Sequence, residues 1–204
     1  MTDAEFLDIL RRGYETRRVE CKAAGPRTDK QLLARVARAV MGMANLRDGG
    51  LVIIGVNDDH GSLSEGGLNV NDLKTWKYDD VKSSLAEFMS PTADIDIEQF
   101  DCNGRTYVLI HVDEFVEVPL LCARDYQAAG GTMVVRRGAC YVRSRRKTET
   151  AEIATYEEMR ELLDLAIDKG VARFLARARR SGLAVPAPQA ADDKPFEDEL
   201  GDLA

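Results

Sequence analysis

Three carboxylates and one lysine carry the chemistry this sequence could perform: Glu15, Glu20, Asp58 and Lys22. Glu20 and Lys22 fall two residues apart on a predicted strand, so their side chains share a face. Asp58 follows the apolar run Leu51–Val56, at the end of a predicted buried strand, where ligand sites of α/β sheets collect. Glu15 precedes Glu20 by five residues. An odd offset puts the two on opposite faces of one regular strand, so Glu15 joins the group only from the turn after Gly13. Two or three carboxylates with few other ligands suit Mg²⁺ or Mn²⁺, hard cations that take oxygen donors and keep some water. Such an ion polarises a phosphodiester and acidifies a bound water. A lysine beside it stabilises the charge of the transition state or orients the water. The plain alternative is that these are solvated acids among the 35 in the chain, with Glu20–Lys22 a surface pair contributing under ~1 kcal/mol.

A second constellation is cationic. The net charge is −7, but residues 187–204 hold six acids and one lysine, hence −5, which leaves −2 for the rest. Within that rest, Val135–Lys147 carries Arg136, Arg137, Arg143, Arg145, Arg146 and Lys147 with no acid. A local basic patch, not net charge, is what a phosphate backbone senses. By strand parity Tyr141, Arg143 and Arg145 share a face, which predicts an aromatic ring beside guanidinium groups for stacking a base and holding phosphate. Arg18, beside the Glu20 strand, joins the expected nucleic-acid-binding set. Arginines on strands also serve merely to keep an edge soluble. The acidic tail predicts either capture of a basic partner or cover for this patch.

The elements that must position these groups follow from periodicity. A helix is predicted over 3–12 and a strand over 16–23. Thr28 reads as the N-cap of the next helix, which carries Leu32, Leu33, Val36, Val40, Met43 and Ala44 at helical spacing. Asp48-Gly49-Gly50 reads as a turn, Leu51–Val56 as a central strand covered on both faces, and 58–67 as a loop. A helix is predicted over 79–89. Asn103-Gly104 between Ile95–Phe100 and Thr106–Val112 signals a hairpin. Short strands follow near 120–123, 133–136 and 139–143. A long helix over 155–180 places Met159, Leu162, Leu163, Ala166, Ile167, Phe174 and Leu175 on one side. Residues 184–204 read as disordered. The expected fold is α/β (α+β): a mixed sheet flanked by helices, with an N-terminal helix at 1–13, a domain at 14–155, a C-terminal helix at 156–183 and the tail at 184–204.

Several classes are disfavoured. No apolar run reaches the ~18 residues of a membrane span, and the N-terminus lacks a signal-peptide core, so a cytoplasmic protein without membrane contact is expected. The four cysteines are widely spaced, which suits buried thiols better than zinc. The glycines form no G-x-x-x-x-G-K-[ST] loop.

Read together, Val19-Glu20-Cys21-Lys22, Met43-Ala44-Asn45, Gly49-Gly50, Ile53-Ile54-Gly55-Val56-Asn57-Asp58, Pro119 and Tyr141–Thr148 form an ordered set. The set resembles the AlbA-type domain of the Schlafen family over about residues 14–155. Departures are Cys21 for an aromatic, one extra residue before Gly49-Gly50, and Arg145 for a glycine. The Glu20-x-Lys22 pair is also similar to the E-x-K element of restriction-type nucleases. The family resemblance implies a nucleic-acid-binding domain. It also implies a divalent-metal-dependent endoribonuclease acting on structured RNA such as tRNA, with Glu15, Glu20 and Asp58 as metal ligands and Lys22 at the scissile phosphate. RNA is expected in preference to DNA. The alternative on the same fold is a non-catalytic DNA-binding regulator. Schlafen nucleases of the vertebrate type pair two such lobes, so one lobe would clamp a duplex only as a homodimer, to which the C-terminal helix could contribute an interface.

Overall fold

A computed structural model describes residues 1–59, 62–145 and 149–182, with the side chains of residues 58 and 59 outside the description. In chain order the elements are α1 (Asp3–Arg12), β1 (Val19–Lys22), α2 (Lys30–Ala44), β2 (Gly50–Ile54), β3 (Val56–Asp59), β4 (Ser62–Glu65), α3 (Val70–Leu73), α4 (Tyr78–Ala86), β5 (Met89–Ser90), β6 (Ile95–Cys102), β7 (Arg105–Val112), β8 (Leu121–Cys122), β9 (Tyr126–Gln127), β10 (Met133–Val135), β11 (Tyr141–Arg143), β12 (Thr150–Glu152) and α5 (Tyr156–Arg180). The chain divides into two units, Met1–Ala166 and Ile167–Ala204.

The first unit is built on a mixed four-stranded sheet in the order β1-β2-β7-β6. β1 runs parallel to β2, and the other pairs are antiparallel. The apolar run after Gly50 becomes β2, an interior strand with apolar neighbours on both faces. Its alternation divides two cores: Val52 and Ile54 join Val108 and Ile110 on the face covered by α2, while Ile53 joins Leu109, Tyr107 and Phe6 on the other. Each fully buried Ile or Leu here is worth roughly 1.5–3 kcal/mol. Phe6 ties α1 into the second core, packing 4.5 Å from the Tyr107 ring. α2 is buried almost all round, because it lies between the sheet and the small strands β10, β11 and β12.

The two-residue turn between β6 and β7 needs left-handed backbone, and Asn103 (φ 51°) and Gly104 (φ 69°) supply it. Gly49 has a different reason to be glycine. A Cβ there would lie 1.9 Å from the Val112 carbonyl oxygen, with φ at +66°. That glycine pair is a packing turn between α2 and the sheet.

Several boundaries differ from the expectation. The strand at 16–23 shortens to Val19–Lys22, because residues 16–18 fold into a turn closed by a Thr16–Val19 bridge. Asp29, not Thr28, caps α2, its carboxylate accepting from the amides of Gln31 and Leu32. The predicted loop at 58–67 is largely the β3–β4 hairpin, in which Val56 pairs Glu65 and Asp58 pairs Leu63. The helix predicted at 79–89 ends at Ala86, and Met89 belongs to β5. On α5, Leu162 and Leu165 are buried while Met159, Leu163, Ile167 and Phe174 are exposed, so the broad apolar stripe is really two faces. The acidic tail lies outside the described residues. Among the described residues no helix is long and apolar enough to cross a membrane. All four cysteines are free thiols.

Candidate functional site

Glu15 sits in the turn after Gly13, a left-handed C-cap (φ 71°) that ends α1. From that turn its Oε1 accepts a hydrogen bond of 2.7 Å from the Cys21 amide. Glu20 pairs in register with Val52, so its side chain points to the sheet face that α2 covers. There it is buried. Its Oε1 accepts from Lys22 Nζ at 2.5 Å, and its Oε2 accepts from Arg143 Nη1 at 2.5 Å and from Thr150 Oγ1 at 2.6 Å. Thr150 stands opposite Arg143 in the β11–β12 ladder, which is how one hairpin delivers both donors. Arg143 Nη2 also lies 3.8 Å from Glu15 Oε2. The structure therefore brings Glu15, Glu20 and Lys22 together, with Arg143 and Thr150 closing the group from behind.

The two carboxyls respond in opposite directions. Burial pushes Glu20 upward, but the charges of Lys22 and Arg143 and the bonds from Lys22 and Thr150 outweigh it and hold the group below the usual range. Burial also pushes Glu15 upward. The Cys21 amide, Lys22 and Arg143 do not compensate, and Glu20 adds repulsion, so Glu15 stays raised.

These contacts decide whether a divalent ion fits. Both oxygens of Glu20 are committed to protein donors, and Glu15 contributes chiefly Oε2. Among the described residues no group of three His, Cys, Asp or Glu side chains is arranged to hold a metal. Asp58 has its backbone on β3, opposite Leu63, but its side chain lies outside the description. The described side chains alone do not make a Mg²⁺ or Mn²⁺ site.

The cationic set divides sharply. Arg143 and Tyr141 are not a nucleic-acid surface. The Arg143 side chain is 0% exposed and donates to the carbonyls of Thr16, Arg17 and Val19 at 2.7, 3.0 and 3.3 Å. Tyr141 is buried, its phenolic oxygen accepting from the Arg136 amide at 2.8 Å, with the Arg38 guanidinium 5.4 Å from its ring. Parity does put them on one face, but that face is the core. Arg145 lies beyond the end of β11 and turns outward. Its side chain is 62% exposed, and it donates to Glu161 at 2.8 Å. Arg136 is exposed and paired with Glu152. Arg137 is exposed, its amide donating to Asp125. Arg18 makes an exposed pair with Asp48 at 2.5 Å. Arg146 and Lys147 lie outside the described residues.

Residue order did not single out Arg17, Glu161 or Thr150, and Asn45 stood out only within the Met43-Ala44-Asn45 motif, with no role attached. Arg17 grips Glu161 through both terminal nitrogens, at 2.8 and 2.6 Å, so two guanidinium groups share one carboxylate. Those hydrogen bonds hold the Glu161 carboxyl at about 2, against burial, with Arg145 assisting. Beside it opens a cleft of about 450 Å³ lined by Arg47, Arg145, Arg160 and Tyr156, with Glu157, Glu161 and Asp164. Asn45 reaches its floor from the end of α2. Its amide nitrogen donates to the carbonyls of Leu120 and Tyr141, and its oxygen accepts from the Leu120 amide. Asn45 thus clamps three segments. Only a known strand register would have exposed these residues, because each meets a partner more than 70 positions away.

A family model described as Schlafen, AlbA_2 matches residues 15–152. No curated protein matches the chain. Among solved structures, the DIP2311 protein from Corynebacterium diphtheriae is similar at 16% identity and a TM-score of 0.48, over 78% of this chain and 27% of that one. The N-terminal domain of an ATP-dependent DNA helicase RecG-related protein from Nitrosomonas europaea is similar at 22% identity and a TM-score of 0.47, over 65% of this chain and 88% of that one. The chain thus spans only about a quarter of the DIP2311 protein.

Proposed function

The chain belongs to the Schlafen AlbA_2 family, and from that premise we propose that it is a nucleic-acid-binding domain, with RNA preferred to DNA. The observation that carries the reading is the excess of cation at Glu161: Arg17 and Arg145 share that single carboxylate beside the cleft. Tyr156, exposed on the same cleft, offers a ring for stacking. Phosphate contacts of this kind position a strand without reading its sequence. The relevant surface is then the cleft side of Arg145, not the buried face of β11.

Fluorescence anisotropy with labelled tRNA, single-stranded RNA and duplex DNA tests this. Affinity should fall steeply between about 50 and 200 mM salt. Arg145→Ala and Tyr156→Ala should weaken it, with RNA held more tightly than duplex DNA. Absence of binding at the lower salt would refute the proposal.

A second reading, hydrolysis of structured RNA with Mg²⁺ or Mn²⁺, is favoured by the convergence of Glu15, Glu20 and Lys22 in one desolvated group. In that reading Lys22 faces the scissile phosphate, and Glu15, the less compensated carboxylate, is the group open to a reactive role. Glu20→Ala is a poor probe, because it strands the buried Arg143 charge. Lys22→Met and Glu15→Ala are better. The expected result is tRNA cleavage by the parent chain with Mn²⁺ and none by either variant, both confirmed as folded. No cleavage by the parent chain removes this reading and leaves the regulator on the same fold.

A further inference from the structure

The helix α5 carries two apolar faces. Leu162 and Leu165 are buried within their own unit. Tyr156, Met159, Leu163, Ile167, Val171 and Phe174 are between 42% and 72% exposed. At 3.6 residues per turn these six cluster on the side opposite Leu162 and Leu165. An isolated exposed leucine needs no explanation, but six large apolar side chains in line along one helix do.

Two features identify the occupant. The intervals between the six residues are three, four, four, four and three, the same read in either direction. Laid antiparallel on a copy of itself, the stripe sets Tyr156 level with Phe174, Met159 with Val171 and Leu163 with Ile167. A surface that is its own complement under a two-fold axis is the condition for an isologous dimer. Charge along the helix is also segregated. Its first half holds Glu157, Glu158, Glu161, Asp164 and Asp168 against Arg160, and its second holds Lys169, Arg173, Arg177, Arg179 and Arg180 without an acid. In this antiparallel register Glu157 stands level with Arg173 and Glu161 with Lys169, whereas a parallel pair would set each charge beside its like.

We propose that α5 is a self-association surface, pairing antiparallel with α5 of a second copy of this chain around Leu163 and Ile167. Six side chains from each copy bury on the order of 1,000–1,200 Å², the lower end of a specific interface. The pairing does not involve the Glu20 group, but it takes up Tyr156, which also lines the cleft.

Sedimentation equilibrium on the full chain, from about 1 to 200 µM, is the test. The expected result is a monomer–dimer equilibrium that Leu163→Glu, and separately Ile167→Glu, shifts at least tenfold toward monomer, with unchanged circular dichroism because both side chains are exposed. Orientation is read by mixing Tyr156→Cys with Phe174→Cys chains under mild oxidation. A cross-link between the unlike chains supports the antiparallel pair, whereas linkage only between like chains overturns it. A parent chain that stays monomeric at 200 µM, or a dimer indifferent to both glutamate variants, overturns the surface itself.

Discussion

Arg143 and Arg145 stand two residues apart, and each binds a glutamate that a second cation also holds. Around Glu20 the partners are Lys22 and Arg143, closed over by α2 and the β11–β12 hairpin, with Thr150 completing the shell. Around Glu161 the partners are Arg17 and Arg145, beside an open cleft. The bond lengths are similar and the energetics are not. In the first group three charges have left water, so each depends on the others to offset desolvation. In the second, water and salt screen the attraction, and losing one partner exposes nothing that solvent cannot satisfy. One arrangement is sealed inside the protein; the other leaves Arg145 at the surface, its side chain 62% exposed.

The contrast can be broken most forcefully at Arg143. Arg143→Met removes the cation from a buried carboxylate and should cost about 3–5 kcal/mol in urea unfolding. Adding Glu20→Leu should recover part of the loss, because the buried carboxylate is then gone and only Lys22, whose side chain is 18% exposed, loses its partner. If the single variant is as stable as the parent chain, the group is not the buried lock described here.

Acid gives the next largest effect. Glu161 is held at about 2, below its ordinary 4.5, and Glu20 is also lowered. A lowered carboxyl contributes stability that is complete above 4.5 and disappears as pH falls toward the folded-state value. Glu15 is raised and has the opposite sign: its ionised form opposes folding at neutral pH, and protonation relieves that. Thermal melts should therefore lose stability between pH 4.5 and about 2. Glu161→Gln should flatten that acid limb, and Glu15→Gln should slightly raise the melting temperature at pH 7. A parent-like acid limb in Glu161→Gln would show that Arg17 and Arg145 do not hold the carboxylate in solution.

The smallest effect on stability belongs to Arg145. Arg145→Ala should leave the unfolding midpoint nearly unmoved, and unmoved altogether in high salt, while weakening nucleic-acid affinity. A large loss of stability would erase the difference between the two groups.

The parts of this arrangement that could be read from residue order were those governed by local rules. Asn103-Gly104 specified its hairpin, Leu51–Val56 an interior strand that ends at Ile54, with Val56 passing into β3, and Thr28 a helix start one position before the observed cap, Asp29. The requirement that Glu15 sit in the turn after Gly13, deduced from an odd offset, matches its place in the structure. What parity could not decide was which side of β11 faces the core. Tyr141 and Arg143 lie on one side, and a strand bearing an arginine reads as solvent-facing until a partner such as Glu20, 123 positions away, is known. The glycine-rich stretch at 58–67 read as a loop because its pairing depends on the bend at Gly55 (φ 107°), not on its own composition. The two faces of α5 read as one because spacing alone cannot tell a buried stripe from an unpartnered one.

The contacts of Arg143 with the carbonyls of Thr16, Arg17 and Val19 carry a consequence for synthesis. Those carbonyls belong to the turn that positions Glu15, and their donor is made more than 120 residues later. While the nascent chain is emerging, helices such as α2 can form early, but that turn has only its local bonds, the Thr16–Val19 bridge and the Cys21 amide to Glu15, and Glu20 has only Lys22. The Glu15–Glu20 group is thus among the last features to become ordered. A chain released before Thr150 would carry the acids and Arg143, but neither the β12 strand that pairs with β11 nor the hydroxyl that completes the shell of Glu20.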